Sequence, residues 1–379
     1  MESTGDAKLV EGEFTSTRGI KLYTLSALPP RGTVTRCVLV FAHGLSDHVG
    51  RHLPVLGDAL TKSGVAVLGY DMRGHGRSGP HHPQMRNYVR TFGELVSDLQ
   101  AFLAGPVRDR FPGLPVFLMG HSMGAAVCML TACRSPSGIS GLVLSSPLVA
   151  IQSHPRPWSS WAIAATVRAA NWLPGAGHVR VVPRRPIELG MRDEAAIQAM
   201  HDDGLWDRQS YMLGTIASLL DGVACLQREV PAGLPPSLPL YVQQGTEDVA
   251  TPHRHLRALL ARLAAARAAR ASAASAASVI GTGGGSSGSQ QSGGIGETNP
   301  QPQPVSTSGL GGWWAPRAPP RDPGAAAAAR GPELCGEELA AVGIVYHEVE
   351  GGFHDLNHDH ETSVCLERIA AWLDVQLEG

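Results

Sequence analysis

Short, unbroken apolar runs recur along the first half of the chain: Cys37 to Ala42, Val65 to Tyr70, Val116 to Met119 and Leu142 to Leu144. Runs of this length without alternation are what strands show when both faces of their sheet are covered. Between them the apolar positions fall three or four apart, as in Leu53-Leu56-Leu60 and Leu95-Leu99-Phe102-Leu103, which is one face of a helix. Strand and helix alternate, so the pattern predicts an α/β fold with a mainly parallel central sheet flanked by helices. Ahead of this series, Glu13 to Leu25 alternates around Arg18-Gly19 and predicts an opening hairpin.

The rhythm breaks after Pro147, where Pro155, Pro157, Pro174, Pro183 and Pro186 punctuate short helical pieces. We read residues 148–236 as a helical cap inserted over the sheet. The strand pattern resumes at Leu238 to Gln243, passes through a helix from Pro252 to about Arg270, and returns at Val342 to Val349 before a last helix from Glu361 to Leu377. Between these closing units, residues 264–334 are Ala-rich, then Gly/Ser/Gln-rich, then Pro-rich. With few large apolar groups to offset the entropy of ordering, that stretch is expected to be a disordered, flexible insertion whose alanine tract extends the preceding helix before fraying. Residues 1–379 then form a single domain carrying these two insertions.

Composition narrows the function classes. A chain of 379 residues that is 43% hydrophobic can bury a large core. A net charge of -2, from 31 basic and 33 acidic side chains, gives no basic field for nucleic acid. Six scattered cysteines with no C-x-x-C pair read as reduced thiols and core filler. Met1 to Phe14 carries Glu2, Asp6, Glu11 and Glu13 and no apolar stretch, so neither a signal nor a transit peptide is expected there. The uncharged, apolar-rich run from Phe111 to Cys133 is interrupted by Pro112, Pro115, Gly120 and His121 and is not expected to span a membrane. A cytoplasmic address follows by default.

Candidate chemistry centres on Ser122. G-x-S-x-G occurs twice, as Gly120-His121-Ser122-Met123-Gly124 and as Gly284-Gly285-Ser286-Ser287-Gly288, and context separates the two. Ser122 follows an apolar strand and precedes small helix-starting residues, whereas Ser286 lies in the low-complexity stretch. A serine at a strand-to-helix elbow is held in a tight turn, and flanking glycines leave room for the adjoining backbone. In such a fold the acid and the histidine follow in order, each on a loop after a strand. Gly245-Thr246-Glu247-Asp248 and Gly351-Gly352-Phe353-His354 supply them, with Asp248 preferred to Glu247 and His354 preferred to His358 and His360.

Phe41-Ala42-His43-Gly44-Leu45 closes another strand, and its loop predicts one oxyanion N–H at Leu45, the second coming from Met123. Tyr70 to Gly79, rich in glycine and charge, reads as a tightly hydrogen-bonded structural loop. The cluster His354, Asp355, His358, Asp359 and His360 lacks a second ligand set, so no metal is expected, and no cofactor.

At these residues the chain resembles the monoacylglycerol lipase and lysophospholipase group of α/β-hydrolases. The resemblance is carried by His43 to Arg51, Asp71 to Ser78, Phe111 to Gly124, Gly245 to Asp248 and His354-Asp355-Leu356. It implies an α/β-hydrolase fold and cleavage of a single-acyl lipid ester, most simply monoacylglycerol, to glycerol and fatty acid. It also implies that Asp47 and Arg51 lie at the alcohol-binding end of the site. The chain departs from the group's pattern at Ala125, where a third glycine is usual, and at Asn357, where a second histidine is usual.

In the cap, Trp158, Trp161, Ile163, Trp172 and Leu173 form an apolar stretch suited first to covering an acyl tunnel and second to peripheral contact with a membrane or lipid droplet. Three other readings share the sequence: a lysophospholipase, a lipid acyltransferase using the spacing of His354 and Asp359, and a non-catalytic binding protein. The oligomeric state is left open by these residues.

Overall fold

The computed structural model describes residues 7–79, 85–151, 165–281 and 336–378. Eight strands form one sheet: β1 (Lys8–Thr15), β2 (Lys21–Leu28), β3 (Cys37–Ala42), β4 (Val65–Tyr70), β5 (Val116–His121), β6 (Gly141–Ser145), β9 (Leu240–Gly245) and β10 (Ile344–Val349), in the order β1-β2-β4-β3-β5-β6-β9-β10. The β1–β2 and β2–β4 pairs are antiparallel and every later pair is parallel. Arg18 and Gly19 both take left-handed φ values, 64° and 72°, at the hairpin corner. β5 continues two residues past its apolar run, because Gly120 pairs with Ala42 and His121 with Ser145.

Alternate residues of β3 go to opposite faces. Val38, Val40 and Ala42 pack with α2 (Phe92–Phe102), α3 (Met123–Arg134), α5 (Leu213–Gly233) and α6 (His253–Gly281), whereas Leu39 and Phe41 pack with α1 (Val49–Leu60) and α8 (Thr362–Glu378). Both faces are covered, which is why these strands read as continuous apolar runs. Each fully buried leucine or valine removes enough apolar area from water to contribute about 1.5–3 kcal/mol.

The stretch 148–236 differs from the helical insertion expected there. It holds α4 (Glu194–Asp202) and the long α5, but also a two-stranded antiparallel ribbon, β7 (Arg180–Val182) with β8 (Tyr211–Met212). Strands of two and three residues are too short to show a period. Trp172 and Leu173 are 89% and 64% exposed, so neither lines an acyl tunnel. Trp158, Trp161 and Ile163 lie outside the described residues, as do the second G-x-S-x-G at Ser286 and Cys335.

The helix after β9 runs to Gly281, so the alanine tract extends it as expected. Buried Leu256, Leu259, Leu260 and Leu263 anchor it, and alanine, with the highest helix propensity, carries it onward. α7 (Gly336–Ala341) then leads into β10. Among the described residues, Cys37, Cys128 and Cys365 are buried and no disulfide forms. No described helix is long and apolar enough to cross a membrane.

Candidate active site

Ser122, Leu45, Asp248 and His354 all follow the carboxyl ends of parallel strands, β5, β3, β9 and β10, and so gather on one edge of the sheet. Ser122 has φ 52° and ψ -116°, a conformation a side chain rarely adopts. The glycines beside it are required by space: a Cβ on Gly124 would sit 2.0 Å from the Ala42 carbonyl oxygen, and one on Gly120 would sit 2.4 Å from Ala125. Backbone bonds pin the turn, from Ser122 N–H to the Ser145 carbonyl and from Leu148 N–H to the Ser122 carbonyl, each 3.0 Å.

His354 Nε2 lies 3.0 Å from Ser122 Oγ, and its Nδ1 lies 2.7 Å from Asp248 Oδ2. Asp248 is buried, and its carboxylate also accepts from Ala250 N–H, Thr251 N–H, the Thr251 hydroxyl and the Gln244 amide, at 2.7–2.8 Å. That donor set fixes the carboxylate and leaves His354 one tautomer, with the proton on Nδ1 and the Nε2 lone pair toward Ser122. Glu247 is exposed and takes no part in this arrangement. Thr251 was missed in the sequence, which gives no sign that its hydroxyl turns back onto Asp248.

Electrostatics separate the histidines. Burial opposes the charge of His354, but the Asp248 carboxylate outweighs it and carries its pKa above the ordinary histidine value. Asp248 is likewise held below its ordinary value, burial being overcome by the charge and hydrogen bond of His354. His121, buried and 4.9 Å from His354 ring to ring, is pushed down to about 3 by desolvation. It therefore sits beside the base as a neutral ring at physiological pH.

The backbone N–H groups of Leu45 and Met123 donate to no described residue, which suits them to an oxyanion. The Leu45 loop is fixed through His43, whose Nδ1 lies 2.7 Å from the Gly44 carbonyl while its Nε2 accepts from Met72 N–H at 2.8 Å. The loop Asp71 to Ser78 is held by hydrogen bonds within itself and to its neighbours: Asp71 accepts from Arg77 N–H and from Val49 N–H, and Arg73 Nε donates to Asp98 at 2.6 Å.

Asp47 and Arg51 line the cavity, but their charges are committed. Arg51 bridges Asp47 at 2.9 Å and Asp355 at 2.5 Å, and Asp47 also receives His52 Nε2 at 2.6 Å. Burial works against both carboxylates, and the surrounding Arg51, His52 and His358 nonetheless hold both well below their ordinary values. Asn357 is fully buried, has no hydrogen-bond partner on either amide atom, and does not line the cavity. Asp359 accepts from Arg192, Asp193 N–H and His360 N–H instead of approaching His354.

Among the described residues, His52, Asp355 and His358 form the one group close enough to share a metal ion. His358 and Asp355 are already engaged: His358 faces Asp355 with Nδ1 and the Arg51 carbonyl with Nε2, and Arg51 pairs with the carboxylate. His52 Nδ1 alone of the group's ring nitrogens has no partner, so the group offers a metal one free lone pair, short of a ligand set.

The cavity over Ser122 measures about 240 Å³. Leu148, Ile151, Ile216 and Leu219 give it apolar walls, and Pro183 to Ile187, Leu189 to Met191, Met200, Trp206 and Tyr211 line it from the 148–236 stretch. None of these cap residues was identified in the sequence; a cap with no repeating pattern gives no signal of which side chains turn inward.

Comparison with known proteins gives a consistent result. The family described as serine aminopeptidase, S33, matches residues 33–276. The chain is similar to the monoglyceride lipase of Homo sapiens, 30% identical over 221 residues that cover 58% of this chain and 67% of the relative. It is also similar to a monoglyceride lipase homolog of Monkeypox virus, 28% identical over 216 residues, covering 57% and 72%. Among solved structures, a soluble variant of the Saccharomyces cerevisiae monoglyceride lipase in complex with a substrate analog aligns with a TM-score of 0.65 at 15% identity, covering 99% of this chain and 97% of that one. The last likeness is one of fold, the α/β-hydrolase fold.

Proposed function

The chain belongs to the serine aminopeptidase S33 family of hydrolases, and from that membership we propose that it cleaves the carboxylic ester of a single-acyl lipid, monoacylglycerol in the simplest case, to an alcohol and a fatty acid. The observation that carries this reading is the cavity over Ser122, whose walls are apolar and whose two lining acids, Asp47 and Asp355, are both tied to Arg51. An aminopeptidase must hold a substrate ammonium, and a cavity with no uncommitted carboxylate is poorly suited to that. An acyl chain gains about 0.8 kcal/mol per buried methylene from such walls.

In this proposal Ser122 Oγ attacks the ester carbonyl while His354 Nε2 takes its proton, and Asp248 stabilises the imidazolium. The N–H groups of Leu45 and Met123 hold the oxyanion. The alcohol leaves with the proton from His354, and water, activated by the same imidazole, hydrolyses the acyl-enzyme. The reaction needs no cofactor. Asp47 and Arg51 act at the alcohol end as a fixed pair, with Asp355 as the second partner of Arg51.

The hydrogen-bonded Ser122, His354 and Asp248 weigh against a non-catalytic binding protein, and the engagement of Asp359 with Arg192 weighs against the acyltransferase reading of the His354–Asp359 spacing. Exposed Trp172 and Leu173 support peripheral contact with a lipid surface, where substrate is drawn. We also assign residues 148–236 to a cap over the site and the 264–334 stretch, beyond its helical start, to a spacer.

A panel of monoacylglycerols, lysophospholipids and short aryl esters tests the assignment. Turnover of single-acyl lipids, rising with chain length, is expected; turnover of short aryl esters alone would overturn it.

A further inference from the structure

One cation on the cavity wall is unlike the others. Arg51 is spent on Asp47 and Asp355, and Arg185 donates to the Val249 carbonyl. Arg184 has no hydrogen bond or ion pair with any described residue. Its guanidinium carbon lies 5.1 Å from the ring centre of Trp206 and 5.0 Å from that of Tyr211, both of which also line the cavity. Nε and Nη2 are sealed beneath this packing without an acceptor, leaving Nη1 as the nitrogen with access to the open space. A half-buried guanidinium without a counter-charge, open at one nitrogen, attracts any anion that reaches it.

Arg184 lines the same cavity as Ser122, Asp47 and Arg51. Its charge also reaches buried His75, whose ring lies tilted against that of His43 at 5.4 Å.

Resting on the assignment of Ser122 as an ester-cleaving nucleophile, we propose that Arg184 is a head-group site for a phosphate carried by the alcohol part of the ester. The preferred substrate is then a monoacylglycerol bearing a phosphate, not the neutral lipid. The phosphate is bound and not broken. The acyl carbon–oxygen bond breaks, the acyl group passes to Ser122 and then to water, and glycerol phosphate leaves with the proton returned by His354. Trp206 and Tyr211 hold the guanidinium in place, so little side-chain freedom is lost on binding.

The test uses the full chain with short-chain, monodisperse 1-acylglycerol and 1-acylglycerol 3-phosphate at fixed ionic strength. Wild type is expected to favour the phosphate ester in kcat/KM by about tenfold or more, the range of a charge-assisted hydrogen bond in a desolvated site. In Arg184→Met the loss on the phosphate ester should exceed the loss on the neutral ester by a similar factor. Arg184→Lys should recover part of it, and glycerol 3-phosphate should inhibit wild type more strongly than Arg184→Met. Melting curves confirm that each variant is folded. Equal losses on both esters would overturn the proposal, making Arg184 a packing element between two rings. So would relief of fatty-acid product inhibition in Arg184→Met with the phosphate preference intact, since the site would then take a carboxylate. Turnover of the neutral ester with no charge preference would remove the head-group site and leave the lipase assignment standing; turnover of neither lipid would remove both.

Discussion

Arg51 and Asp355 are joined at 2.5 Å, and the contact ties the helix after the Leu45 loop to the residue beside the catalytic-base candidate His354. Because Asp355 is the immediate neighbour of His354, its anchoring limits where the imidazole can go. Asp355→Ala leaves a buried guanidinium with one partner in place of two. Removing one member of a buried ion pair costs about 3–5 kcal/mol, so a clear fall in Tm is expected, with kcat falling as His354 loses its support. Thermal melting and steady-state kinetics on the same preparation check both parts.

The acid should be Asp248 and not its neighbour. Asp248→Asn is expected to lower kcat by about 10⁴-fold, because the amide no longer holds His354 in the productive tautomer. Glu247→Gln, at an exposed position, should stay close to wild type. Comparing the two kcat values decides the assignment.

The raised pKa of His354 has a definite sign in the pH profile. The base works only when neutral, so the acidic limb of kcat/KM should fall with its inflection above the ordinary histidine value of about 6.5. In Asp248→Ala the opposing influence of burial is left uncompensated, and the residual activity should lose its acidic limb to lower pH. A profile measured from pH 5 to 9 on a soluble ester reads both.

The elbow should tolerate no side chain at its glycines. A Cβ on Gly124 meets the Ala42 carbonyl at 2.0 Å, so Gly124→Ala should lower stability by about 1–3 kcal/mol or prevent folding. Gly93→Ala is the control: nothing lies within 4 Å of its added Cβ, and it sits within α2. Alanine there should leave stability unchanged or raise it by up to about 1 kcal/mol. Chemical denaturation of the two variants provides the comparison.

These contrasts also explain what could be read from the residues alone. β3, β4 and the start of β5 were legible because both of their faces are buried and every position had to be apolar. The order of Ser122, Asp248 and His354 was legible because each follows such a strand. The end of β5 at His121 was not, since its last two residues are held by pairing with Ala42 and Ser145 and not by hydrophobicity. The β7–β8 ribbon was too short to show a period. Arg184 gave no signal because its meaning depends on Trp206 and Tyr211, brought to it by the chain's return through the cap. The alanine tract was legible as an extension of the preceding helix because alanine favours helix, and α6 runs on to Gly281.

The most direct measurement is hydrolysis of a monoacylglycerol by wild type and by Ser122→Ala, purified side by side and shown to be equally folded. The account predicts turnover by wild type and a loss of about 10⁶-fold in kcat in the variant, the scale on which a serine nucleophile's removal is felt. Comparable turnover by Ser122→Ala would contradict it.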